Sequence, residues 1–396
     1  MKLIFNLLRQ NYLLGIDFFL RIVLSVFLPK LFTPETYAEY NYLLALFFWF
    51  LILDFGSSMG FSLRIVKYYR PSFFNLGYLL SSFAFSVCFT SVMIFFFFIL
   101  INNNEKIHFF SFLGTFFILS LYSFLSTTYK CLGLINTDFI GRIVTSLSLI
   151  IILVFGKNFY GFYYILIPYL LAVIFYSISI LKVNYFVKFP TSIFINGFKN
   201  IKSGFNLYTT NALLIAFSLM DKVVFTQMMS LELYGNYLFC YSLSSLHVLV
   251  QGLIASKYYR VLLSTNSEDD SKKMRLFFIT SLGHVLLSGV IIFIVNISIF
   301  KQFYSRYSFI NSYIVLTESI CIAISFLTLI YLILGTKKIN RLFLFISYCI
   351  PFCFMLFFKI GLFSEPFLWP ISYLFELTLA LFYAFKYLKL KINIIW

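Results

Sequence analysis

Residues 73–100 read FFNLGYLLSSFAFSVCFTSVMIFFFFIL, a run without one charged side chain. The hydrocarbon core of a bilayer, about 30 Å thick, takes about 20 apolar residues of α-helix to cross, and this run is longer than that. Outward from it, apolar windows separated by polar breaks recur along the whole chain. They predict helices at 11–31, 39–60, 73–100, 109–129, 139–156 and 160–181, then at 204–226, 233–256, 275–297, 310–334, 341–359 and 367–387. Composition points the same way. Hydrophobic residues make up 61% of the 396 positions and charged ones 11%, whereas charged residues approach about a quarter of a soluble domain. No stretch is left for a separate soluble domain, and a soluble enzyme is excluded. Lys2 and Arg9 precede an apolar run as in a signal peptide. The run lacks a small-residue cleavage site and carries Asp17 and Arg21, so it is expected to stay as the first span.

The expected fold class is an all-α membrane protein: twelve transmembrane helices in two six-helix bundles, residues 1–181 and 204–396, joined by a cytoplasmic linker at 182–203. An even number of spans puts both termini on one side. Most of the 30 Lys and Arg residues fall at the N-terminus, in the even-numbered connections and at the C-terminus, which makes that side cytoplasmic. The net charge of +16 is then explained by anionic membrane lipids as partners, and no nucleic acid is needed. Cys88, Cys131, Cys240, Cys321, Cys349 and Cys353 all lie inside apolar stretches, where they read as small packing residues. No metal site is assigned.

The chain also repeats itself. TPETYAEYNY at 33–42 aligns without gaps on SLELYGNYLF at 230–239, matching Glu35 with Glu232, Tyr37 with Tyr234 and Tyr40 with Tyr237. In both halves the tetrapeptide KYYR follows the second helix, at Lys67–Arg70 and Lys257–Arg260. Repeats of an even number of spans are parallel, related by a pseudo-two-fold along the membrane normal. Transporters of that build place substrate between the halves and rock one against the other.

Two segments carry a resemblance. LPKLFTPETYAEYNYLLALFFWFLILDFGSSMGFSLRIVKYYR, with Pro34 in its turn and Asp54, Phe55 and Gly56 closing its helix, resembles the opening helices of Wzx-type O-antigen repeat-unit flippases. LMDKVVFTQMMSLELYGNYLFCYSLS, with Asp221 and Lys222, is similar to the seventh helix and turn of the same family. That family belongs to the superfamily of multidrug and toxin extrusion (MATE) transporters and lipid II flippases. Ala38, Thr226 and Gln227 stand where the family commonly has glycine. The resemblance implies a MATE-like transporter of the bacterial cytoplasmic (inner) membrane, acting in lipopolysaccharide and polysaccharide biosynthesis. It would move undecaprenyl pyrophosphate-linked oligosaccharide from the cytoplasmic to the periplasmic leaflet by alternating access, coupled to H+ or Na+ with no other cofactor. It would hand its cargo to polysaccharide polymerase machinery.

An ionisable side chain at the centre of a span costs about 2.5–3.5 kcal/mol on insertion scales, so each one is a candidate for function. Arg21 lies roughly 15 Å into the first predicted helix, with Asp17 one turn before it on the same face. The pair either neutralises itself to ease insertion or serves the substrate. A guanidinium fork suits pyrophosphate oxygens and stays charged at any depth, so Arg21 is assigned to substrate, with Arg64, Lys67 and Lys222 as further substrate cations. Asp17, Asp54, Asp221, Glu318, Glu376 and His284 are the ion-coupling candidates. For Asp54, packing weighs equally with function, since Gly56, Ser57, Ser58 and Gly60 follow it. His247 is a weaker candidate. Pro168 and Pro351 are candidate hinges. Two rival functions remain open: an O-antigen polymerase or ligase, which would need a large outer loop with catalytic Arg or His, and a drug or cation antiporter, which would favour acidic residues over Arg21.

Overall fold

The computed structural model describes residues 2–50, 54–69, 74–101, 109–155, 162–183, 185–246, 310–335, 341–359 and 369–388, with isolated positions between 248 and 294. Twelve helices occupy these residues. They are α1 (Lys2–Leu31), α2 (Pro34–Phe50), α3 (Ser57–Tyr68), α4 (Leu76–Ile101), α5 (Phe109–Leu132), α6 (Ile135–Phe155) and α7 (Phe162–Ile180). After them come α8 (Ile193–Met228), α9 (Leu231–Ser244), α10 (Ile310–Gly335), α11 (Arg341–Lys359) and α12 (Trp369–Leu388). The described residues are all-α apart from a two-rung parallel ribbon of β1 (Phe74–Asn75) and β2 (Tyr185–Phe186). Among the described residues one helix, Ile135–Phe155, is long and apolar enough to cross a membrane, and four shorter apolar helices accompany it.

Two compact units emerge. One holds Met1–Leu31 and Leu46–Phe205. The other holds Phe32–Ala45, Asn206–Ile254 and the helices from residue 310 on. Helices α2 and α8 therefore contribute residues to both, and the start of α2 groups with the C-terminal half of the chain.

Two expected boundaries differ from those observed. The run expected as one helix over 39–60 is broken into α2 and α3, because Asp54 captures the backbone at the break. Its Oδ1 accepts from the Gly56 N–H at 2.9 Å and its Oδ2 from the Ser58 N–H at 2.8 Å, which caps the start of α3. Phe55 and Gly56 turn the chain with positive φ of 50° and 87°. Glycine takes that conformation freely, whereas phenylalanine holds it at a cost of about 1–2 kcal/mol. The second difference is the expected linker at 182–203, which is helical from Ile193 onward, continuous with the rest of α8.

The first turns of α8 lie against α3 at contact distance. A Cβ at Gly60 would overlap the carbonyl of Asn200, and one at Gly204 would overlap the backbone of Gly60. Only two glycines facing one another allow that crossing.

The two copies of the repeat start helices in the same way. Thr33 precedes α2, and its Oγ1 accepts from the Thr36 N–H at 3.4 Å. Ser230 precedes α9, and its Oγ accepts from the Leu233 N–H at 3.3 Å. Glu35 and Glu232 sit in the first turns, where a carboxylate favours the positive end of the helix dipole. Within the second unit the copies meet: a Cβ at Gly235 would overlap the backbone of Pro34. Of the KYYR pair, Lys67 to Tyr69 end α3, while the second copy lies outside the described residues.

Candidate functional site

The first unit buries a four-charge cluster where α1, α5, α6 and α7 converge. Arg21 Nε donates to Asp17 Oδ1 at 3.0 Å, the i,i+4 contact expected from their spacing. Arg142 on α6 faces both carboxylates, at 3.9 Å from Asp17 Oδ2 and 2.7 Å from Asp138 Oδ2. Ser126 Oγ from α5 donates to Asp138 Oδ1. The Tyr176 hydroxyl from α7 reaches the same oxygen at 3.3 Å and the Asp138 carbonyl at 3.1 Å. Gly141 makes room for that tyrosine, since a Cβ there would overlap its ring. Tyr129 stacks on Tyr176 with centroids 5.3 Å apart and donates to its carbonyl at 2.8 Å.

Charge pairing explains why this cluster can be buried. The two guanidiniums and two carboxylates pair with one another, the condition under which desolvation is tolerated, and the Lys130 ammonium on α5 adds a positive charge that interacts with Asp138, Arg142 and Arg21. The four are not equally enclosed. The side chains of Asp17 and Asp138 are 0% exposed and that of Arg142 9%, whereas Arg21 keeps 33% of its side chain open. Its contact with Asp17 uses Nε, and among the described residues its two Nη groups have no hydrogen-bond partner. Arg21 is thus the open end of an otherwise sealed network. Neither Arg142 nor Asp138 is among the residues singled out from the sequence. The signal was present, because Asp138 and Arg142 repeat the i,i+4 spacing of Asp17 and Arg21.

Arg64 is held differently. Its Nη1 donates to Asn196 Oδ1 and Asn200 Oδ1, both at 3.0 Å, and its guanidinium lies 5.1 Å from the centre of the Tyr78 ring. The Tyr78 hydroxyl donates to Asn200 Oδ1 at 2.7 Å, and the Asn200 amide donates to Ser82 Oγ at 3.1 Å. Neutral groups surround this cation, so it keeps its net charge while joining α3, α4 and α8. Lys67 sits on the exposed end of α3 with Nζ 5.2 Å from the Tyr68 ring. Asp54, besides its two backbone bonds, accepts from Ser86 Oγ at 3.1 Å. Its backbone bonds hold the break between α2 and α3, and its bond from Ser86 ties that break to α4.

In the second unit Lys222 Nζ lies 3.8 Å from the centre of the Tyr241 ring, a cation–π contact. Glu318 on α10 and Glu376 on α12 are buried. Next to Glu318, the hydroxyls of Thr317 and Ser244 join α10 to α9 at 2.9 Å. Asp221 belongs to α8, but its side chain is outside the described residues, as are His284 and His247. Pro168 is buried inside α7. The six cysteines are free thiols. Among the described residues no three His, Cys, Asp or Glu side chains are grouped to hold a metal ion.

The structure therefore brings Asp17 and Arg21 together with two residues the sequence reading missed, and keeps Arg64, Lys67 and Asp54 in separate surroundings. No protein-family model matches the chain, and no curated protein matches it.

Proposed function

We propose that this chain is a polytopic flippase of a bacterial cytoplasmic membrane. Its twelve spans form two six-helix bundles related by a pseudo-two-fold, and it passes lipid-linked oligosaccharide pyrophosphate from the inner to the outer leaflet by cation-coupled alternating access. The distribution of polarity supports a bilayer setting. Asp17, Asp138 and Arg142 are buried, while Phe19, Ile151, Phe155, Ile178, Phe375 and Phe382 are exposed. That is the reverse of what water selects, and it suits a solvent that satisfies no polar group.

The observation that carries the reading is the half-open guanidinium of Arg21. A pyrophosphate crossing hydrocarbon needs its charge met by donors, since unpaired buried charge is prohibitive. Arg21 offers two Nη groups to phosphate oxygens while Asp17 fixes its orientation through Nε. When an anion engages Arg21, the Asp17 carboxylate still faces Arg142, so no carboxylate is left alone in the interior. Asp17, Asp221, His284, Glu318 and Glu376 are the proposed coupling groups, with Arg64, Lys67 and Lys222 as further cations for the substrate. Buried Glu318 and Glu376 also suit a second reading, a cation antiporter, in which those carboxyls take the cargo and Arg21 only balances Asp17.

Complementation of a deletion strain tests the proposal. Arg21→Ala should reach the membrane at normal level yet lower surface polysaccharide roughly 10- to 100-fold, as expected for one lost charge-assisted contact, with lipid-linked units building up on the inner leaflet. Full restoration by Arg21→Ala would remove the residue from the mechanism. Units accumulating on the outer leaflet of the deletion strain would replace a flippase with a polymerase or ligase.

A further inference from the structure

The segment from Lys182 to Phe205 carries four lysines and no carboxylate, and its helical part buries asparagine and glycine while it leaves phenylalanine exposed. Asn196, Gly197, Asn200 and Gly204 form one stripe of α8 and are buried against α3 and α4. An adjoining, outward stripe is Phe194, Phe198 and Phe205, at spacings of four and seven residues that keep a helix face, with Ile195 beside them. Phe194 is 68% exposed and Phe198 58%. Lys199 and Lys202 are exposed on the flank of that stripe, and Val187, Lys188 and Phe189 are exposed just before the helix.

The outward phenylalanines are not loose. The Phe85 ring fills the space that a Cβ of Gly197 would occupy, and packs edge-to-face on Phe194 at 6.1 Å and Phe198 at 5.6 Å. The amides of Asn196 and Asn200 are meanwhile tied to Arg64, Ser81 and Ser82. Rotating the helix to hide its rings would break every one of those bonds. The apolar face is therefore locked outward by a polar lock on its inner side.

We infer that residues 187–205 form an anionic-lipid-binding surface, the rings of Phe194, Phe198 and Phe205 entering the acyl boundary while Lys188, Lys199 and Lys202 hold phosphate head groups. The inference rests on the membrane setting proposed above. Phenylalanine on one flank and lysine on the other is the pattern of a helix lying at a bilayer interface, and lysine stems let the ammonium groups rise to head-group level. An all-anionic partner without an apolar boundary, such as a polyanion in water, would leave the rings unpartnered.

The test uses the full chain, cysteine-free except for Phe194→Cys or Phe198→Cys, labelled with an environment-sensitive fluorophore. It is placed in nanodiscs of phosphatidylcholine alone or mixed with phosphatidylglycerol. Blue-shifted emission at both positions is expected, with brominated phosphatidylglycerol quenching more than brominated phosphatidylcholine. The triple variant Lys188→Gln, Lys199→Gln, Lys202→Gln should lose that lipid preference and keep the blue shift. Water-like emission from a chain that resists alkaline extraction overturns the surface but not the membrane setting, whereas release of the chain by alkali overturns both. Equal quenching by the two lipids overturns recognition of anionic head groups. Emission insensitive to either quencher, with cross-links between chains at Phe198→Cys, assigns the face to a second copy and also overturns the inference.

Discussion

Two arginines of the first unit are held in opposite ways. Arg142 lies between two carboxylates and pairs with both of them. Arg64 rests on amide oxygens and a tyrosine ring, and its charge is left uncancelled. The first arrangement is sensitive to the loss of Arg142, because both buried carboxylates then lose the cation they share. The second is tolerant, because its neutral partners can turn to water or to one another. A guanidinium among carboxylates thus defines a balance that an incoming anion can disturb, while one among amides acts as a fixed anchor between helices.

The strongest way to break this contrast is Arg142→Ala. It leaves Asp138 and Asp17 facing each other without their shared cation, and should cost about 3–5 kcal/mol, seen as a large drop in the unfolding temperature in detergent. Arg142→Ala combined with Asp138→Ala should recover part of the loss. If the double variant is no better than the single one, packing rather than charge dominates at this site. Arg64→Met should cost less, about 1–3 kcal/mol, since it orphans amide groups rather than ions. A loss equal to that of Arg142→Ala would erase the distinction.

Two smaller substitutions sharpen it from outside. Asp54→Ala removes a carboxylate that holds the helix break and ties it to Ser86 of α4, and should cost about 1–2 kcal/mol with transport retained in the complementation assay. Loss of transport at unchanged unfolding temperature would move Asp54 from capping into coupling. Ser230→Ala removes only the cap of α9 and should cost about 1 kcal/mol, measured in the same unfolding assay, with no effect on polysaccharide output.

The helices were legible where apolar runs are long, because burial and bilayer crossing both select for unbroken hydrophobicity. What escaped the sequence reading has specific causes. The break at Asp54 was hidden because the residues on either side of it, Ile52 and Phe61 among them, are as apolar as the helix expected there. The start of α8 was hidden because Asn196, Lys199, Asn200 and Lys202 read as a polar connection, and only the fold shows that the asparagines face inward. Asp17 and Arg21 could be paired from spacing alone. Arg142 could not be joined to Asp17, since α1 and α6 are brought together by the fold and no local pattern in the chain records it.

The reciprocal bonds between Asn75 and Lys188, where the side-chain amide donates to the Lys188 carbonyl at 3.0 Å and its oxygen accepts from the Lys188 N–H at 3.1 Å, fasten the entrance of α4 beside the exit of α7. Four helices therefore leave and return through a single doorway. A segment whose ends are clasped side by side can be permuted with little change in chain path, and it is at this clasp that such a cut should be made.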